Sequence, residues 1–205
     1  MEKGKLIVFE GLDGAGTTTQ MKILGKAFEE RNQKVFITHE PTDNPIGKLV
    51  RSALRKEFSL PPSALALLYA SDRDDHLYNS QYGIEKYIRE GSHVISDRYF
   101  YSSIAYQGVE CDFNYIEGLN SRFPHADVII YIDTPVEESM ARIEKRGEEK
   151  ELFEKEEYLR KVRENYERLF SSLPQSVTLI KIDGTKSIET ISKEILSSIE
   201  SLKLL

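Results

Sequence analysis

Five short apolar runs, separated by longer segments of helical periodicity, form the main pattern of this chain. The runs lie at residues 5–10, 34–38, 93–96, 127–132 and 177–182. Short continuous apolar runs are typical of strands that are buried on both faces. Alternation of such strands with helices indicates a parallel sheet, because parallel neighbours need long crossover connections. We therefore predict an α/β fold with a five-stranded parallel sheet and helices on both faces.

Two helical segments between these runs stand out. Pro61 and Pro62 are favoured at a helix start, and apolar positions continue from there to Ile88, so the pattern predicts one long helix with Gly91 as its stop. This segment has more apolar positions than a single apolar face of a helix requires. The surplus indicates burial against a partner as well as against the sheet.

Residues 140–166 form a highly charged segment. One interpretation is a helical hairpin whose charged side chains are solvated. A second is a mobile lid at about residues 142–155, interrupted at Gly147, whose basic side chains close over a bound phosphate.

Size and composition limit the classes of protein that this chain can belong to. With 205 residues we expect one domain, here residues 1–205 including the lid. No apolar run approaches the roughly 18 residues that a membrane span requires. The chain enters its first strand almost at once, which leaves no room for a leader peptide and predicts a cytoplasmic location.

Charge and cysteine content exclude further classes. The net charge of −6 disfavours a large nucleic-acid surface, so we expect neither nucleic acid nor membrane among the partners. A single cysteine, Cys111, allows no internal disulfide. The four histidines show no metal-ligand spacing, so no structural zinc is predicted.

A glycine-rich loop follows the first predicted strand. It approximates the phosphate-loop template G-x-x-x-x-G-K-[S/T], in which glycines let backbone N–H groups surround a polyphosphate. Thr18 holds the hydroxyl expected on Mg²⁺, but Thr17 stands where the template has lysine. An ordinary turn between strand and helix is the alternative, and the flanking strand and helix patterns favour the phosphate loop. The loop residues are Gly11, Leu12, Asp13, Gly14, Ala15, Gly16, Thr17 and Thr18.

Polar residues follow the other predicted strands, namely Glu40-Pro41, Asp97-Arg98, Asp133 and Asp183-Gly184. Ligands of parallel α/β sheets bind at the carboxyl ends of the strands, so one shared site is expected there. Asp97 can hold Mg²⁺ through water or accept a proton, and the guanidinium of Arg98 can bind a phosphate. A local ion pair that caps the next helix is the alternative for these two residues.

Taken together, these motifs resemble the thymidylate kinase family over nearly the whole chain. The most specific string is Asp97-Arg98-Tyr99 with Ser103 and Ala105-Tyr106-Gln107, supported by Tyr69-Ala70-Ser71-Asp72-Arg73 and by Ile182-Asp183-Gly184-Thr185. The resemblance implies a phosphate-loop nucleoside-monophosphate-kinase fold with a short lid. It also implies ATP-dependent phosphorylation of dTMP to dTDP, a step in dTTP biosynthesis, with Mg²⁺ as cofactor and a homodimer formed through the long helices.

The resemblance further implies roles for residues around the acceptor nucleotide. Asp13 would contact the deoxyribose 3′-hydroxyl, and Arg73 and Arg98 would bind the acceptor phosphate. Tyr69 would stack on thymine, although an aromatic residue at its position on an apolar helix face could also belong to the core. The remaining acceptor contacts would be Pro41 in the base pocket, Ser103 and Gln107 near the base edge, and Tyr106 against the sugar.

On the donor side the resemblance implies contacts with the adenine of ATP. Arg142 would lie over the ring, and Asp183, Gly184 and Thr185 would approach its other edge. Thr18 and Asp97 would hold the metal. Asp97 and Arg98, together with Asp13, are the expected catalytic residues from the strand ends and the loop.

Three positions depart from the family pattern, and each removes a cation near the transferring phosphate. They are Thr17 in the loop, His39 where many members have arginine before Glu-Pro, and Leu152 where the lid motif has arginine. One well-placed arginine can contribute about 10³ to 10⁵ in rate to phosphoryl transfer. We therefore expect Arg146 and Lys150 of the lid to act as further catalytic residues that replace part of this charge.

Two other functions fit part of this pattern. A different nucleoside or nucleotide kinase, such as a deoxynucleoside kinase, shares the loop and the strand-end Asp-Arg pair. A nucleotide-binding regulatory protein without transferase activity would be compatible with the three departures. Retention of Asp13, Arg73, Asp97 and Arg98 favours the kinase, because a protein that only binds has less need of a complete acceptor site.

Overall fold

A computed structural model describes residues 3–145 and 152–205 of the chain. It contains a parallel sheet of five strands in the order β2-β3-β1-β4-β5. The strands are β1 (Leu6–Gly11), β2 (Val35–His39), β3 (His93–Asp97), β4 (Val128–Asp133) and β5 (Thr178–Asp183). The predicted strands and the α/β fold class are confirmed, and each boundary lies within one residue of its prediction.

Helices connect the strands and cover both faces of the sheet. They are α1 (Thr17–Glu30), α2 (Pro45–Leu54), α3 (Pro62–Tyr78), α4 (Ile84–Arg89), α5 (Phe100–Glu110), α6 (Phe113–Asn120), α7 (Val136–Lys145), α8 (Leu152–Phe170) and α9 (Ile188–Ser201). None of the helices in the described ranges is long and apolar enough to cross a bilayer. The expectation that residues 1–205 form one domain stays a prediction.

Side chains of β1 alternate between two hydrophobic cores. Leu6 and Val8 pack with α3, α5 and α8, whereas Ile7 and Phe9 pack with α1 and α9. This alternation follows from the period of two along a strand. Glu10 continues the first set, so its carboxylate points toward α5 and α8.

The prediction of one helix from Pro61 to Ile88 is wrong, because the segment contains α3 and α4 with a turn between them. Asn79 ends α3 with ψ 127°, outside the helical range. At Gly83 a Cβ atom would lie 2.5 Å from the carbonyl oxygen of Asn79 and 2.7 Å from that of Leu77. Only glycine fits this close approach of backbone to backbone.

The charged segment contains more buried surface than a fully solvated hairpin would have. Helix α8 buries Leu159, Val162, Tyr166 and Leu169, whose spacing places them on one face. That face packs mainly against α5. Of the predicted lid, residues 142–145 end α7 and residues 152–155 begin α8, while residues 146–151 lie outside the described part of the chain.

Candidate active site

The glycine loop between β1 and α1 has the backbone geometry that its sequence predicts. Gly14 and Gly16 have φ angles of 85° and 93°, which side chains with a Cβ rarely adopt. A Cβ on Gly14 would also lie 2.9 Å from the carbonyl oxygen of Ser139. Gly16 is the N-cap of α1, so the loop presents the positive end of that helix to the carboxyl edge of the sheet.

Thr18 and Asp97 meet at this edge. The Thr18 hydroxyl donates a hydrogen bond of 2.5 Å to Oδ2 of Asp97. The other carboxylate oxygen, Oδ1, is buried and has no hydrogen-bond partner among the described residues. A hydroxyl beside a carboxylate with a spare oxygen is a hard oxygen donor set, and this set fits Mg²⁺.

A cavity of about 330 Å³ lies beside the loop, between α3 and α5. All eight residues predicted for the acceptor nucleotide line it. They are Asp13, Pro41, Tyr69, Arg73, Arg98, Ser103, Tyr106 and Gln107. The structure therefore brings these residues together around one cavity, and their role as contacts of a nucleotide stays a prediction.

Arg98 lines this cavity and is fixed by its backbone conformation and by hydrogen bonds to two residues. It has a φ of 71°, a left-handed conformation that is uncommon for a residue with a side chain and often found at functional sites. Its Nη2 donates a 2.6 Å bond to Oδ1 of Asp13 in the glycine loop, and its Nη1 donates a 3.0 Å bond to the hydroxyl of Ser102. The guanidinium also lies 4.9 Å from the centre of the Tyr106 ring.

Arg73 differs from Arg98 because it is only 1% exposed. Its guanidinium forms an ion pair of 2.7 Å with Glu40 and donates hydrogen bonds to Asn120 and Ser103. Glu40 also contacts His76, with 3.0 Å between Oε1 and Nδ1. Burial acts to raise the pKa of Glu40, but Arg73 and His76 together hold this pKa below its ordinary value.

Three further side chains shape the same cavity. Tyr69 is half-buried and lines the cavity, so it is not a core residue; burial of its phenol raises its pKa to about 12. The hydroxyl of Tyr106 accepts a 2.9 Å bond from the backbone N–H of Asp13. Oε1 of Gln107 is buried and, within the described residues, has no hydrogen-bond partner.

A second cavity of about 310 Å³ lies on the other side of the loop. Gly14, Ala15, Gly16 and Arg142 line it together with residues at the start of α9. Arg142 donates hydrogen bonds to the carbonyl oxygens of Gly184 at 2.9 Å and Gly14 at 3.5 Å. Arg142 therefore connects the glycine loop to the loop after β5.

Leu12, Asp183 and Thr17, which were also predicted for the donor site, are buried or bonded to neighbouring groups. Leu12 is buried in the core, so only its backbone can face a ligand. Asp183 accepts hydrogen bonds from the N–H and hydroxyl of Thr185. Thr17 is 8% exposed. Arg146 and Lys150 lie outside the described residues.

His39 and Leu152 are two of the three positions that depart from the family pattern. His39 lies at the end of β2, with Nε2 3.6 Å from a carboxylate oxygen of Asp43. Leu152 is the first residue of α8. Among the described residues, no group of three or more His, Cys, Asp or Glu side chains could hold a metal ion by itself.

Sequence reasoning missed several polar residues in the wall of the cavity or directly behind it. They are Glu10, His76, Ser102 and Asn120, which contact Arg73 or Arg98 directly or through one side chain. Glu10 alone carried a signal, because a carboxylate at the end of an apolar strand is unusual in a buried position. The others come from separate helices, and only the fold brings them together.

Comparison with known proteins agrees with this geometry. The family model of thymidylate kinase matches residues 9–195. A putative thymidylate kinase of Treponema pallidum is 38% identical over 202 residues, covering 97% of this chain and 96% of the relative. A probable thymidylate kinase of Pyrococcus horikoshii is 39% identical over 204 residues, with 97% of each chain covered.

A solved structure extends the similarity to the fold. Thymidylate kinase from Candida albicans superposes with a TM-score of 0.79 at 27% identity, covering 98% of this chain and 93% of that one. The glycine loop, the Asp97-Arg98 pair and the cavity between α3 and α5 all lie inside the matched region. Sequence, fold and site geometry therefore agree that the chain belongs to the thymidylate kinase family.

Proposed function

We propose that this protein transfers the γ-phosphoryl group of ATP to the phosphate of dTMP and so forms dTDP for dTTP synthesis. The observation that carries the proposal is the contact pattern of two consecutive residues. Asp97 contacts Thr18 of the glycine loop, whereas Arg98 lines the neighbouring cavity. The donor and acceptor sites are therefore adjacent, as transfer between two phosphates requires.

The cavity between α3 and α5 suits a thymidine nucleotide. The Tyr69 ring offers a stacking surface for a base, and the unpaired Oε1 of Gln107 can accept a hydrogen bond from N3–H of thymine. Tyr106 lies where the sugar would pass between base and phosphate. Its hydroxyl accepts a hydrogen bond from the loop backbone, which fixes the ring at a position from which it can contact that sugar.

Arg98 is the better placed of the two arginines for the acceptor phosphate. Its side chain is 22% exposed and lies beside Asp13 of the loop. Arg73 is largely engaged by Glu40, Asn120 and Ser103, so its contact with the phosphate stays a prediction.

Transfer proceeds by in-line attack. An oxygen of the dTMP phosphate forms a bond to the γ-phosphorus, the bond from that phosphorus to the β–γ bridging oxygen breaks, and ADP leaves. Backbone N–H groups of the loop hold the donor phosphates. Thr18 and Asp97 fit Mg²⁺, which when bound would neutralise charge on the donor phosphates.

A steady-state assay tests the proposal. ATP is supplied with dTMP, dUMP, UMP, AMP or thymidine as acceptor, and ADP release is measured. We expect the highest kcat/KM with dTMP. Preference for thymidine would identify a nucleoside kinase, and the absence of acceptor-dependent ADP release would support a regulatory nucleotide-binding protein.

We also propose that Arg146 and Lys150 supply charge that Thr17, His39 and Leu152 lack. Support comes from the sequence, since both basic residues flank Gly147 in the predicted lid. Arg146→Ala and Lys150→Ala should lower kcat at saturating substrates, with Lys145→Ala as a matched control. Wild-type kcat in both variants contradicts this proposal.

The predicted homodimer is a further proposal. Its support is two exposed leucines on α2 and α3, Leu49 and Leu67, which are 44% and 49% exposed. Exposed leucines on two helices that pack together are typical of a contact between subunits.

A further inference from the structure

Glu10 is a fully buried carboxylate for which the proposed mechanism has no direct use. It is 0% exposed and receives three hydrogen bonds. The backbone N–H of Tyr99 donates to Oε1 at 2.9 Å, while the hydroxyls of Ser102 and Tyr166 donate to Oε2 at 2.5 and 2.7 Å. Burial of a carboxylate costs free energy unless the group accepts hydrogen bonds. These three bonds offset that cost and fix the orientation of the Glu10 side chain.

The bond from Ser102 determines how that hydroxyl faces Arg98. A serine hydroxyl has one proton and two lone pairs. Its proton points to Glu10, so its oxygen is left as an acceptor toward Nη1 of Arg98 at 3.0 Å. Without the carboxylate the proton can turn to the Tyr166 hydroxyl, 2.9 Å away, or toward the guanidinium, so the lone pairs of Ser102 are no longer fixed on Arg98.

Arg98 is thereby held from two directions. Asp13 holds Nη2 on the side of the glycine loop, and Ser102 holds Nη1 on the side of the core. The backbone of Arg98 is fixed as well, since its N–H donates to the carbonyl of Phe9 and its carbonyl accepts from the hydroxyl of Ser96. The orientation of the guanidinium plane is restricted by Ser102 at Nη1, by Asp13 at Nη2 and by Tyr106, whose hydroxyl lies 3.4 Å from Nη2.

We propose that Glu10 is a positioning residue that acts through Ser102 to orient the Arg98 guanidinium toward the acceptor phosphate. This rests on the proposed function, because it requires that Arg98 binds the phosphate of dTMP. A planar guanidinium binds phosphate best through two parallel N–H groups, so a rotated plane loses much of the contact.

Glu10 could instead act only as an internal brace, which means a residue that stabilises the packing of β1, α5 and α8 without orienting Arg98. Its bonds join β1 to the start of α5 and to Tyr166 of α8, so its removal lowers the free energy of unfolding under either view. The two views differ in the ligand that is affected. A brace influences every ligand of the cavity, whereas a positioning residue influences only a ligand that carries a phosphate.

The test compares dTMP with thymidine, which share base and sugar and differ only in the phosphate. Dissociation constants for both ligands are measured by calorimetry at pH 8, which lies above the value of about 7 to which burial raises the pKa of Glu10, so the carboxylate is largely ionised. The variants are Glu10→Gln and Ser102→Ala. Tyr101→Phe is the control, because it removes another buried hydroxyl of α5 that bonds to Ala126 and His125.

We expect wild type and Tyr101→Phe to bind dTMP much more tightly than thymidine. In Glu10→Gln and Ser102→Ala this preference should fall about tenfold, as the loss of one hydrogen bond to a charged group predicts, while thymidine affinity changes less than about twofold. If Glu10→Gln does not fold, the Ser102→Ala result decides.

Three other outcomes are distinguishable. Wild type without a preference for dTMP over thymidine contradicts the proposed function itself. A wild-type preference that both variants retain overturns the role of Glu10 while leaving the proposed function intact. Equal losses for dTMP and thymidine also overturn it, because they identify Glu10 as a brace of the whole cavity.

Discussion

Arg73 and Arg98 line the same cavity but differ in burial, and this difference decides what each side chain contributes. Arg73 is 1% exposed and neutralises Glu40, whereas the Arg98 side chain is 22% exposed and pairs with Asp13, which is 54% exposed. The first pair lies in a low-dielectric interior and the second faces solvent. We therefore expect Arg73 to contribute mainly to stability and Arg98 mainly to binding.

Replacement of each arginine by methionine separates these contributions. Arg73→Met should lower the free energy of unfolding by about 3–5 kcal/mol, because it leaves the Glu40 carboxylate buried without its counter-charge. Arg98→Met should lower it by about 1 kcal/mol or less, as for an exposed pair, yet weaken dTMP binding. Urea unfolding measures both values, and equal losses would contradict the distinction.

Thr17 is the residue that most directly alters the donor site. Thr17→Lys should restore an ammonium near the donor phosphates and either lower the Kd of ATP or raise kcat about tenfold, since neutralisation of developing charge accelerates transfer. Ser63→Lys is the control, because it adds the same charge to the first turn of α3 away from the loop. Unchanged or weaker ATP binding with no gain in kcat would mean that the loop functions around the hydroxyl instead.

At the scale of elements, the apolar pattern predicts strands better than helix ends. Each strand is a short, mainly apolar segment between polar flanks, so its limits are visible in the sequence even where a polar residue such as Lys181 interrupts it. The turn between α3 and α4 was missed because the helical spacing of apolar residues continues across it. Gly83 was the available signal, but its close contact with the carbonyls of Leu77 and Asn79 is visible only in the structure.

Two glycine substitutions test this account of the turn. Gly83→Ala should lower the free energy of unfolding by about 1–3 kcal/mol, because its Cβ would overlap two backbone carbonyls. Gly118→Ala, within α6, meets nothing within 4 Å and should raise stability by about 0.5–1 kcal/mol through helix propensity. Thermal unfolding of both variants gives the comparison; similar stability changes in the two would show that the turn tolerates a side chain.

The parts of the candidate site whose residues are continuous in sequence could be predicted. The glycine loop and the Asp97-Arg98 pair are each continuous in sequence and lie at strand ends, which fixes their common edge. The contacts of Arg73 with Glu40 and Asn120 join three separate elements, so no local pattern reveals them. The same holds for Ser102, because its contacts with Glu10 and Arg98 join α5 to β1 and to the turn after β3.

At the scale of the whole molecule, the exposed leucines of α2 and α3 predict assembly. Sedimentation should give twice the chain mass of 23.6 kDa for wild type and the single-chain mass for a Leu49→Glu, Leu67→Glu double variant. Tyr115→Glu, at a 43% exposed position on α6, is the control and should remain dimeric. A wild-type monomer at micromolar concentration would contradict the assembly.

The central strand also determines what can be redesigned in this protein. Glu10 and Gly11 are consecutive in β1, and one faces the anchor of Arg98 while the other opens the donor loop. The residue that bonds Ser102 and the residue that begins the donor loop are therefore joined by one peptide unit, so the two sites share this strand end. Side chains of α3 that line the cavity without bonding either arginine, such as Leu65, can be exchanged to admit other bases while this strand end stays intact, so new acceptor preferences are accessible without a change at the donor loop.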